Sequence, residues 1–451
     1  MHDSHLDHHP SAVPGSRATS SGSFGSIAAG TPGQRSAAVA TGQARQRHTG
    51  SEHLDVVMGS PAMARILLLS NGHGEDLSGA LLAQELQQQG HNVQALPLVG
   101  LGSAYQKAGV PLLGRSHEFS TGGIGYTSLR GRLTEIAQGQ VLYLLRRLGR
   151  LMRYRRRFDL ILVVGDVIPV IAAWLSQRPV ATYLVAYSSH YEGTLRLPWP
   201  CANLLKSRRF KAVYSRDQRT AEDLSRQLQR PVTFLGNPFM DSVLTAATPP
   251  PSSTPRIGLL PGSRRPELEQ NLQLLLRLIE LLPNTVRCNV DLALVPSLDD
   301  DSLRRLSERC GWHLKNGVLE REGAWGINVR REAFRAVLQH SDLVIGMAGT
   351  AIEQAVGLAK PVLQLPGQGP QFTAAFAEAQ RRLLGPTVFC ADGESGSHEA
   401  LEGTAALAMA LLERARRDPD LQQQCQEEAK WRLGDAGGGL RMAAAICSLL
   451  A

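Results

Sequence analysis

The stretch Ser341–Pro370 (SDLVIGMAGTAIEQAVGLAKPVLQLPGQGP) constrains the fold more than any other part of the chain. Its apolar run Leu343–Ile345 is long enough for one buried strand. A turn of small residues follows, then the good helix former Ala351–Leu358 and a second apolar run, Pro361–Leu365. This order of strand, turn, helix and strand predicts an α/β protein with a parallel sheet.

The start of this helix has the features of an anion-binding site. The small residues of the turn are Gly346, Ala348 and Gly349. Thr350 and Glu353 have the three-residue spacing of a capping box. Free N–H groups at a helix N-terminus bind phosphate, and Glu353 is placed to hold a sugar hydroxyl beside it. Phosphate and ribose together indicate a nucleotide, although an ordinary strand–helix–strand unit with Glu353 as a cap explains the pattern equally well.

The length of 451 residues allows two α/β domains and a tail. No apolar run reaches the roughly 18 residues of a membrane-spanning helix, and the N-terminus lacks the apolar core of a secretory signal. The six cysteines are scattered without a CxxC spacing, which predicts reduced thiols in a cytoplasmic protein and no zinc site. The net charge of +8 suits an anionic partner.

Composition and periodicity divide the chain into five segments. Residues 1–62 are rich in Ser, Gly, Ala, His and Thr without a helical or strand period, which predicts a disordered tail. Residues 63–240 alternate apolar strands with helices and form a first Rossmann-like domain, and residues 241–255 are a linker that contains a Pro-rich stretch. A second such domain is predicted at 256–434, and residues 435–451 are a helix that is a candidate to cross back to the first domain.

The first domain places polar residues directly after its apolar strands. The glycine-rich turn Ser70–Gly79 (SNGHGEDLSG) follows its first strand, although the glycines do not fit the GxGxxG pattern. Ligands of open α/β sheets bind at the carboxyl ends of the strands. The candidates at such positions are His73, Glu75, Asp76, Asp166 and His190. Asp166 also has the position of a helix N-cap, which accounts for part of its role.

The second domain begins in the same way. PGSRRPE (Pro261–Glu267) follows its first apolar strand. Ser263 and the start of the next helix offer donors to a phosphate, and Arg264 can add a bidentate, charge-assisted contact. The alternative is an ordinary surface turn in which Arg264 has no ligand. A second turn of small residues at Gly346–Thr350 in the same domain makes this alternative less favoured. Further along this domain, Arg330–His340 is predicted as a helix.

A long helix predicted at Arg132–Arg157 carries many arginines near its end. They include Arg146, Arg147, Arg150 and Arg153. No acidic residue lies between Glu135 and Asp159, and a stripe of leucines runs along the segment. Basic amphipathic helices bind anionic lipid surfaces, so we favour a membrane-surface helix over a core-facing helix with a solvated basic face. Nucleic acid is a poorer fit, because aromatic residues for stacking are nearly absent here.

The motifs resemble those of the lipid-A-disaccharide synthase family, specifically a divergent group related to it. Leu259–Glu267 (LLPGSRRPE) is similar to that family's LPGSR…E motif. Ala348–Ala355 (AGTAIEQA), followed by Lys360 and Pro361, is similar to its SGT…E…KP motif. These two motifs occur widely among nucleotide-sugar enzymes, so they specify the class of donor more than the acceptor.

Three further segments extend the resemblance over roughly residues 65–384. Gly236–Asp241 (GNPFMD) is similar to the family's G-H-P-x-x-D segment, with Asn237 in place of histidine. Glu75–Leu86 is similar to its GDLHGA…L…EL helix, with Asp76 on the matching aspartate, and Asp166 lies where the family carries its PD pair.

The first turn departs from the family, which has GEASGD where this chain has NGHGED. A gapless match places Gly72, and not Glu75, on the family's glutamate. Because the departures fall in the first domain, they concern the acceptor.

The resemblance implies the GT-B fold, in which two Rossmann-like domains with parallel sheets face a central cleft. It implies an inverting, metal-independent transfer of a sugar from a UDP-sugar to a lipid-linked acceptor at the inner face of the membrane. No cofactor and no nucleic-acid partner are expected. The reaction needs a base for the acceptor hydroxyl and preorganised donors for the departing diphosphate.

Each of these tasks is assigned to residues of the matching motifs. The expected general base is Asp166, with Asp76 and His73 as supports or substitutes. The expected diphosphate ligands are Gly262, Ser263, Arg264, Gly349 and Thr350. Glu353 is expected to hold the ribose.

Two other functions are compatible with the same motifs. A UDP-N-acetylglucosamine 2-epimerase shares the two-domain design but needs no lipid acceptor, so the basic helix would have no purpose. A non-catalytic nucleotide-sugar sensor would keep the donor motifs and tolerate the altered first turn. Loss of UDP-sugar binding without Arg264 would fit either an enzyme or a sensor, and turnover separates them.

Overall fold

The computed structural model describes residues 63–114, 140–191, 193–244, 252–283, 287–347, 349–365, 374–394 and 396–450. The predictions for residues 1–62, 132–139 and 245–251, and for Ala348, lie outside the described residues.

The first of two sheets has six parallel strands in the order β2-β1-β3-β4-β5-β6. The strands are β1 Arg65–Ser70, β2 Asn92–Pro97, β3 Leu160–Val164, β4 Val180–Leu184, β5 Phe210–Ser215 and β6 Thr233–Phe234. Successive side chains alternate between two buried clusters, so that Leu67 and Leu69 pack on one face and Ile66 and Leu68 on the other. Because both faces are covered, β3 and the middle of β1 are continuous apolar runs, as parallel strands usually are.

The helices of this half connect the strands and cover both faces. They are α1 His73–Gln88, α2 Ser103–Lys107, α3 Gln140–Tyr154, α4 Val167–Leu175, α5 Cys201–Leu205, α6 Gln218–Leu228 and α7 Pro238–Leu244. A short 3-10 turn, Arg155–Arg157, extends α3. Helix α3 therefore covers the described part of the predicted basic helix.

The second sheet has eight strands in the order β14-β13-β12-β7-β8-β11-β10-β9. The strands are β7 Arg256–Leu260, β8 Asn289–Leu294, β9 His313–Lys315, β10 Val318–Glu320, β11 Ile327–Arg331, β12 Leu343–Gly346, β13 Val362–Gln364 and β14 Val388–Cys390. All pairs are parallel except β9 with β10 and β10 with β11.

The helices of the second half are α8 Glu267–Leu281, α9 Asp300–Glu308, α10 Phe334–His340, α11 Thr350–Gly357, α12 Ala374–Leu384, α13 His398–Arg417 and α14 Pro419–Arg432. The predicted helix Arg330–His340 is correct only from Phe334, because β11 extends to Arg331. Glu332 separates the two elements in a left-handed conformation (φ 52°), which neither a strand nor a right-handed helix accommodates.

In each sheet the chain adds strands first on one side and later on the other side of the strand that begins the sheet. In the first sheet the chain adds β2 on one side of β1 and returns to add β3 on the other. In the second sheet β8 and β12 flank β7 in the same way. Crevices outside such reversals are where open α/β sheets bind ligands. The turns and helix starts after β1, β3, β7 and β12 carry the predicted catalytic and diphosphate-binding residues.

The last helix, α15 Gly438–Cys447, packs against α1 and α7 of the first half. Its Met442, Ala443 and Ile446 are fully buried in the same cluster as Ile66 and Leu68. The Asp241 carboxylate accepts hydrogen bonds from the backbone N–H groups of residues 437, 438 and 439, at 2.7, 3.1 and 2.8 Å. A carboxylate at this position satisfies otherwise unpaired donors and the helix dipole. The aspartate of the GNPFMD segment therefore holds the C-terminal helix.

Candidate functional site

A cavity of about 370 Å³ lies at the strand reversal of the second sheet. The turn after β7 contributes Gly262, Ser263 and Arg264 to its wall, and the start of α11 contributes Gly349 and Thr350. All five are residues predicted from two separate motifs. They meet because β7 and β12 are hydrogen-bonded neighbours, which brings the turns at their carboxyl ends together.

The other walls of this cavity are mainly apolar. They are formed by Leu260, Ala293, Leu294, Val295, Pro296, Glu332, Phe334 and Ala351. The hydroxyl, the guanidinium and the helix start can bind an anion. The aliphatic and aromatic side chains can pack against a flat ring. A nucleotide offers both chemical parts, so the cavity is suited to one.

Two buried glutamines hold the turn before α11. Gln380 Oε1 accepts the N–H of Gly349 at 3.2 Å, and Gln380 Nε2 donates to the Gly349 carbonyl at 3.0 Å. Gln364 Nε2 donates to Gln380 Oε1 at 2.7 Å and to the Met347 carbonyl at 3.0 Å. Gly349 has a φ of 91°, which favours glycine. Sequence reasoning missed both glutamines, although a glutamine inside the apolar strand β13 was a signal.

Glu353 contacts the other half of the molecule. Its Oε2 accepts a hydrogen bond from Arg216 Nη2 at 2.9 Å, and the side chains are 16% and 9% exposed. Arg216 follows β5 of the first sheet and also donates to the Val185 carbonyl at 3.3 Å. Burial alone would lower the pKa of Arg216, but the Glu353 carboxylate raises it. The predicted ribose ligand is thus already ion-paired with an arginine that the sequence did not single out.

Asp166 lies at the strand reversal of the first sheet with both carboxylate oxygens engaged. Its Oδ1 accepts the backbone N–H of Ile168 at 2.9 Å and so caps α4. Its Oδ2 accepts a hydrogen bond from Asn71 Nδ2 at 2.9 Å. Burial raises the pKa of Asp166. The predicted base therefore also joins the turn after β1 to the turn after β3.

Asp76 lies beneath the first turn and is 2% exposed. Its Oδ1 accepts a hydrogen bond from the Ser70 hydroxyl at 2.6 Å, and that hydroxyl accepts one from Tyr105 at 2.9 Å. Burial raises the pKa of Asp76 to about 7. This buried network places Asp76 as a support of the turn. The side chain of His73, the other predicted support, lies outside the described residues.

Glu75 is half-buried between the two turns of this reversal. A Cβ atom at Gly72 would lie 2.4 Å from Glu75 Oε2, and one at Gly165 would lie 3.5 Å from its Cγ. Burial raises the pKa of Glu75 to about 7; its own backbone N–H and Arg216 lower it, and Asp166 raises it. The sequence placed Glu75 at the strand end but assigned it no role.

His190 is buried, although the sequence suggested that it faces a cleft. Its Nε2 lies 3.7 Å from Asp217 Oδ1, and Asp217 Oδ2 accepts a hydrogen bond from Ser188 at 2.7 Å. Burial and the charge of Arg432 lower the pKa of His190 to about 4, so the ring is neutral at pH 7. Among the residues that the structure describes, no three His, Cys, Asp or Glu side chains form a group that could hold a metal ion.

The basic helix α3 exposes only part of its arginines. Arg146 and Arg153 are exposed and Arg150 is half-buried. Arg147 is buried: its Nε donates to the Tyr143 hydroxyl at 2.9 Å, and its guanidinium lies 5.0 Å from the centre of that ring. Burial lowers the pKa of Arg147. Arg147 therefore does not belong to the exposed basic face, and no helix in the described ranges has the length and apolarity to cross a membrane.

Three solved glycosyltransferase structures have the same architecture. The glycotransferase of kitacinnamycin matches 87% of this chain and 100% of its own at 17% identity, with a TM-score of 0.52. CalG4, the calicheamicin glycosyltransferase, matches 86% and 98% at 19% identity, with a TM-score of 0.52. MurG from Acinetobacter baumannii matches 85% and 99% at 16% identity, with a TM-score of 0.53.

These similarities confirm the predicted GT-B fold. No protein-family model matches the chain, and no curated protein matches it. The resemblance to lipid-A-disaccharide synthases is therefore not confirmed at the level of the family.

Proposed function

We propose that this protein is a glycosyltransferase that transfers a sugar from a UDP-sugar to a lipid-linked acceptor, with inversion, as the lipid-A-disaccharide synthase motifs imply. The cavity at the second strand reversal carries the proposal, since residues of two separate motifs meet there as a nucleotide would require. The GT-B fold supports the same class of enzyme.

In the proposed complex, the diphosphate lies against Ser263, Arg264 and the start of α11. Gly262 and Gly349 let the backbone approach it closely. The apolar wall with Phe334 takes the base, and Glu353 takes the ribose. Donors that are already in place can stabilise the negative charge that develops on the departing diphosphate.

The transfer itself is a substitution at the anomeric carbon of the donor sugar. The acceptor oxygen forms a bond to this carbon on the face opposite the diphosphate, and the carbon–oxygen bond to the diphosphate breaks. UDP leaves with the bonding electrons, and a carboxylate takes the proton of the acceptor hydroxyl. The carboxylates at the reversal of the first sheet, Asp166 and Glu75 with Asp76 as support, are the candidates for this proton transfer.

The nucleotide site can be tested with Arg264→Ala. UDP should raise the thermal midpoint of the wild-type protein, because a ligand at a hundredfold excess over Kd adds about 2.7 kcal/mol to the stability. Loss of a charge-assisted hydrogen bond of about 1.5–3 kcal/mol should weaken UDP binding by roughly 10- to 100-fold in the variant.

Arg265→Ala is the matched control, because Arg265 is half-exposed and pairs with Glu269 at 2.6 Å outside the cavity wall. It should bind UDP as the wild type does. A wild-type protein that UDP does not stabilise, or that NAD stabilises instead, would contradict the proposal. Release of UDP from a UDP-sugar then separates an enzyme from a nucleotide-sugar-binding protein.

A surface of the first half suits a lipid-linked acceptor. Leu142 and Leu145 of α3 are 52% and 58% exposed, and Trp199, before α5, is 86% exposed. Leu144 and Leu148 of α3 and Cys201 of α5 pack on the buried cluster that covers one face of the first sheet. The exposed Leu142, Leu145 and Trp199 therefore lie on the same side of that sheet. Together with Arg146 and Arg153 they combine apolar and cationic groups, which favours peripheral binding to an anionic membrane.

The double variant Arg146→Gln/Arg153→Gln should bind vesicles that contain phosphatidylglycerol less tightly than the wild type. At about 1 kcal/mol for each arginine near the surface, we expect a loss of roughly 30-fold in co-sedimentation. Arg304→Gln/Arg417→Gln removes the same charge from exposed positions of the second half. An equal loss in this control would mean that net charge, and not the α3 surface, binds the vesicles.

A further inference from the structure

The GEASGD motif of the lipid-A-disaccharide synthase family has a glutamate at its second position, and the first turn of this chain has a glycine there. In the structure, the Glu75 carboxylate nevertheless lies beside that glycine. Gly72 occupies the motif's glutamate position, and Glu75 follows three residues later in α1. Residues three apart lie on the same side of a helix. Any side chain at Gly72 would begin 2.4 Å from Glu75 Oε2. Glu75 therefore fills the space that a side chain at position 72 would enter.

The groups around Glu75 come from three elements. The charge of Asp166, in the turn after β3, raises the pKa of Glu75, and that of Arg216, in the turn after β5, lowers it. Asp76 and Tyr105 are the ionisable groups below it. Asp166 and Asp76 each accept hydrogen bonds from neighbouring side chains or backbone. A hydrogen bond from its own backbone N–H to the Glu75 carboxylate lowers the pKa of Glu75.

Glu75 is also connected to the nucleotide cavity. Arg216, whose charge lowers the pKa of Glu75, donates to Glu353 at 2.9 Å. Glu353 lies one turn into α11, the helix whose first residues form the cavity wall. The Arg216–Glu353 contact therefore joins the helix that lines the cavity to the turn after β5 of the first sheet.

We propose that Glu75 is the catalytic base of the proposed transfer, and that Asp166 is a positioning residue that holds Asn71 and the start of α4. This inference depends on the proposed function. The acceptor O–H bond breaks, its proton passes to a Glu75 oxygen, and the acceptor oxygen forms the new glycosidic bond. The diphosphate departs with the electrons of the bond that it loses.

The protonation state of Glu75 suits this role. Burial raises the pKa of the carboxyl to about 7. A base with a pKa near the working pH combines a useful ionised fraction with a strong affinity for the proton. Because the base acts when ionised, kcat/KM should rise with pH through about 7 and then level off.

The test uses the full chain, the UDP-sugar that stabilises it best, and n-octyl glucoside as a soluble glycolipid-like acceptor, with UDP release as the readout. Glu75→Gln should reduce kcat by about 100-fold or more, as expected for loss of a general base. The increase in rate around pH 7 should disappear. The thermal midpoint and the UDP-induced shift should remain, because Glu75 lies outside the cavity wall.

Asp166→Asn serves as the comparison, because an asparagine can still accept from Ile168. It should retain the increase in rate near pH 7. Glu75→Ala should regain part of its turnover with added formate, whereas Asp166→Ala should not. Turnover of Glu75→Gln within a few-fold of the wild type, or an unchanged pH profile, would overturn the assignment of Glu75 alone. A wild-type protein that binds UDP but releases none from any UDP-sugar would overturn the proposed transfer together with it.

Discussion

Asn237→Leu is expected to lower the stability of the protein by about 3 kcal/mol or more, since each buried polar group left unpaired costs about 1–3 kcal/mol. Asn237 is fully buried. Its Oδ1 accepts a hydrogen bond from the Tyr183 hydroxyl. Its Nδ2 donates to the carbonyls of Arg216 at 2.9 Å and Leu433 at 3.1 Å. Leucine has a similar volume, but its side chain leaves the Tyr183 hydroxyl and the Arg216 carbonyl without these hydrogen bonds, whereas the Leu433 carbonyl keeps the backbone N–H of residue 237 at 3.2 Å.

The loss should affect both halves of the chain, because Asn237 connects β4, the turn after β5 and the end of α14. Scanning calorimetry is the appropriate measurement, since a chain with two sheets can unfold in more than one transition. Tyr183→Phe, which removes one of the three hydrogen bonds, should cause a smaller decrease in the midpoint. If Asn237→Leu unfolds at the wild-type temperature, these hydrogen bonds do not hold the junction.

Arg216→Met should destabilise the protein by about 3 kcal/mol, because removal of one partner leaves the other charge of a buried ion pair uncompensated. The Arg216 and Glu353 side chains are 9% and 16% exposed and their charged groups lie 2.9 Å apart. The variant also frees the predicted ribose ligand from its partner across the cleft. Its midpoint of thermal unfolding and its affinity for UDP should therefore both change.

A double-mutant cycle separates the pair from the individual side chains. The variant Arg216→Met/Glu353→Gln should be more stable than Arg216→Met alone, because no unpaired charge remains. The exposed pair Arg417 and Glu413, at 2.8 Å, is the control. Its removal should change the midpoint too little to resolve, as is usual for exposed pairs. Strictly additive effects at Arg216 and Glu353 would show that the two side chains are not coupled.

Much of the fold was predictable from local patterns. The apolar runs at β1, β7 and β12 are each followed by a turn of small or polar residues, and these turns are where the structure places the strand reversals. The capping box predicted from Thr350 and Glu353 is wrong: the N-cap of α11 is Gly349, no side-chain hydrogen bond caps the helix, and Thr350 is its first residue. The predicted helix Arg330–His340 was partly wrong, since β11 runs to Arg331. The helix-forming residues that follow Arg331 do not mark where the strand ends. The predicted helix therefore began two residues inside β11.

Other features depended on packing that no local pattern reports. Arg146 and Arg147 each lie between a leucine and an arginine in the sequence. Arg146 is nevertheless exposed, whereas Arg147 is buried against Tyr143. The helical period alone cannot decide which side of α3 meets the sheet. Gln364 and Gln380, 16 residues apart, form the support of Gly349 only because β13 and α12 come together.

The sequence by itself determined the α/β class, the strand ends and the residue types at the cavity of the second sheet, because backbone periodicity and turn chemistry act over a few residues. Only the tertiary structure decided which of these residues meet. Arg216 pairs with Glu353, 137 positions away, and Glu75 takes the space beside Gly72 and Gly165. Strand order and the burial of charged side chains determine which residues come into contact. Both depend on interactions between segments that are distant along the chain.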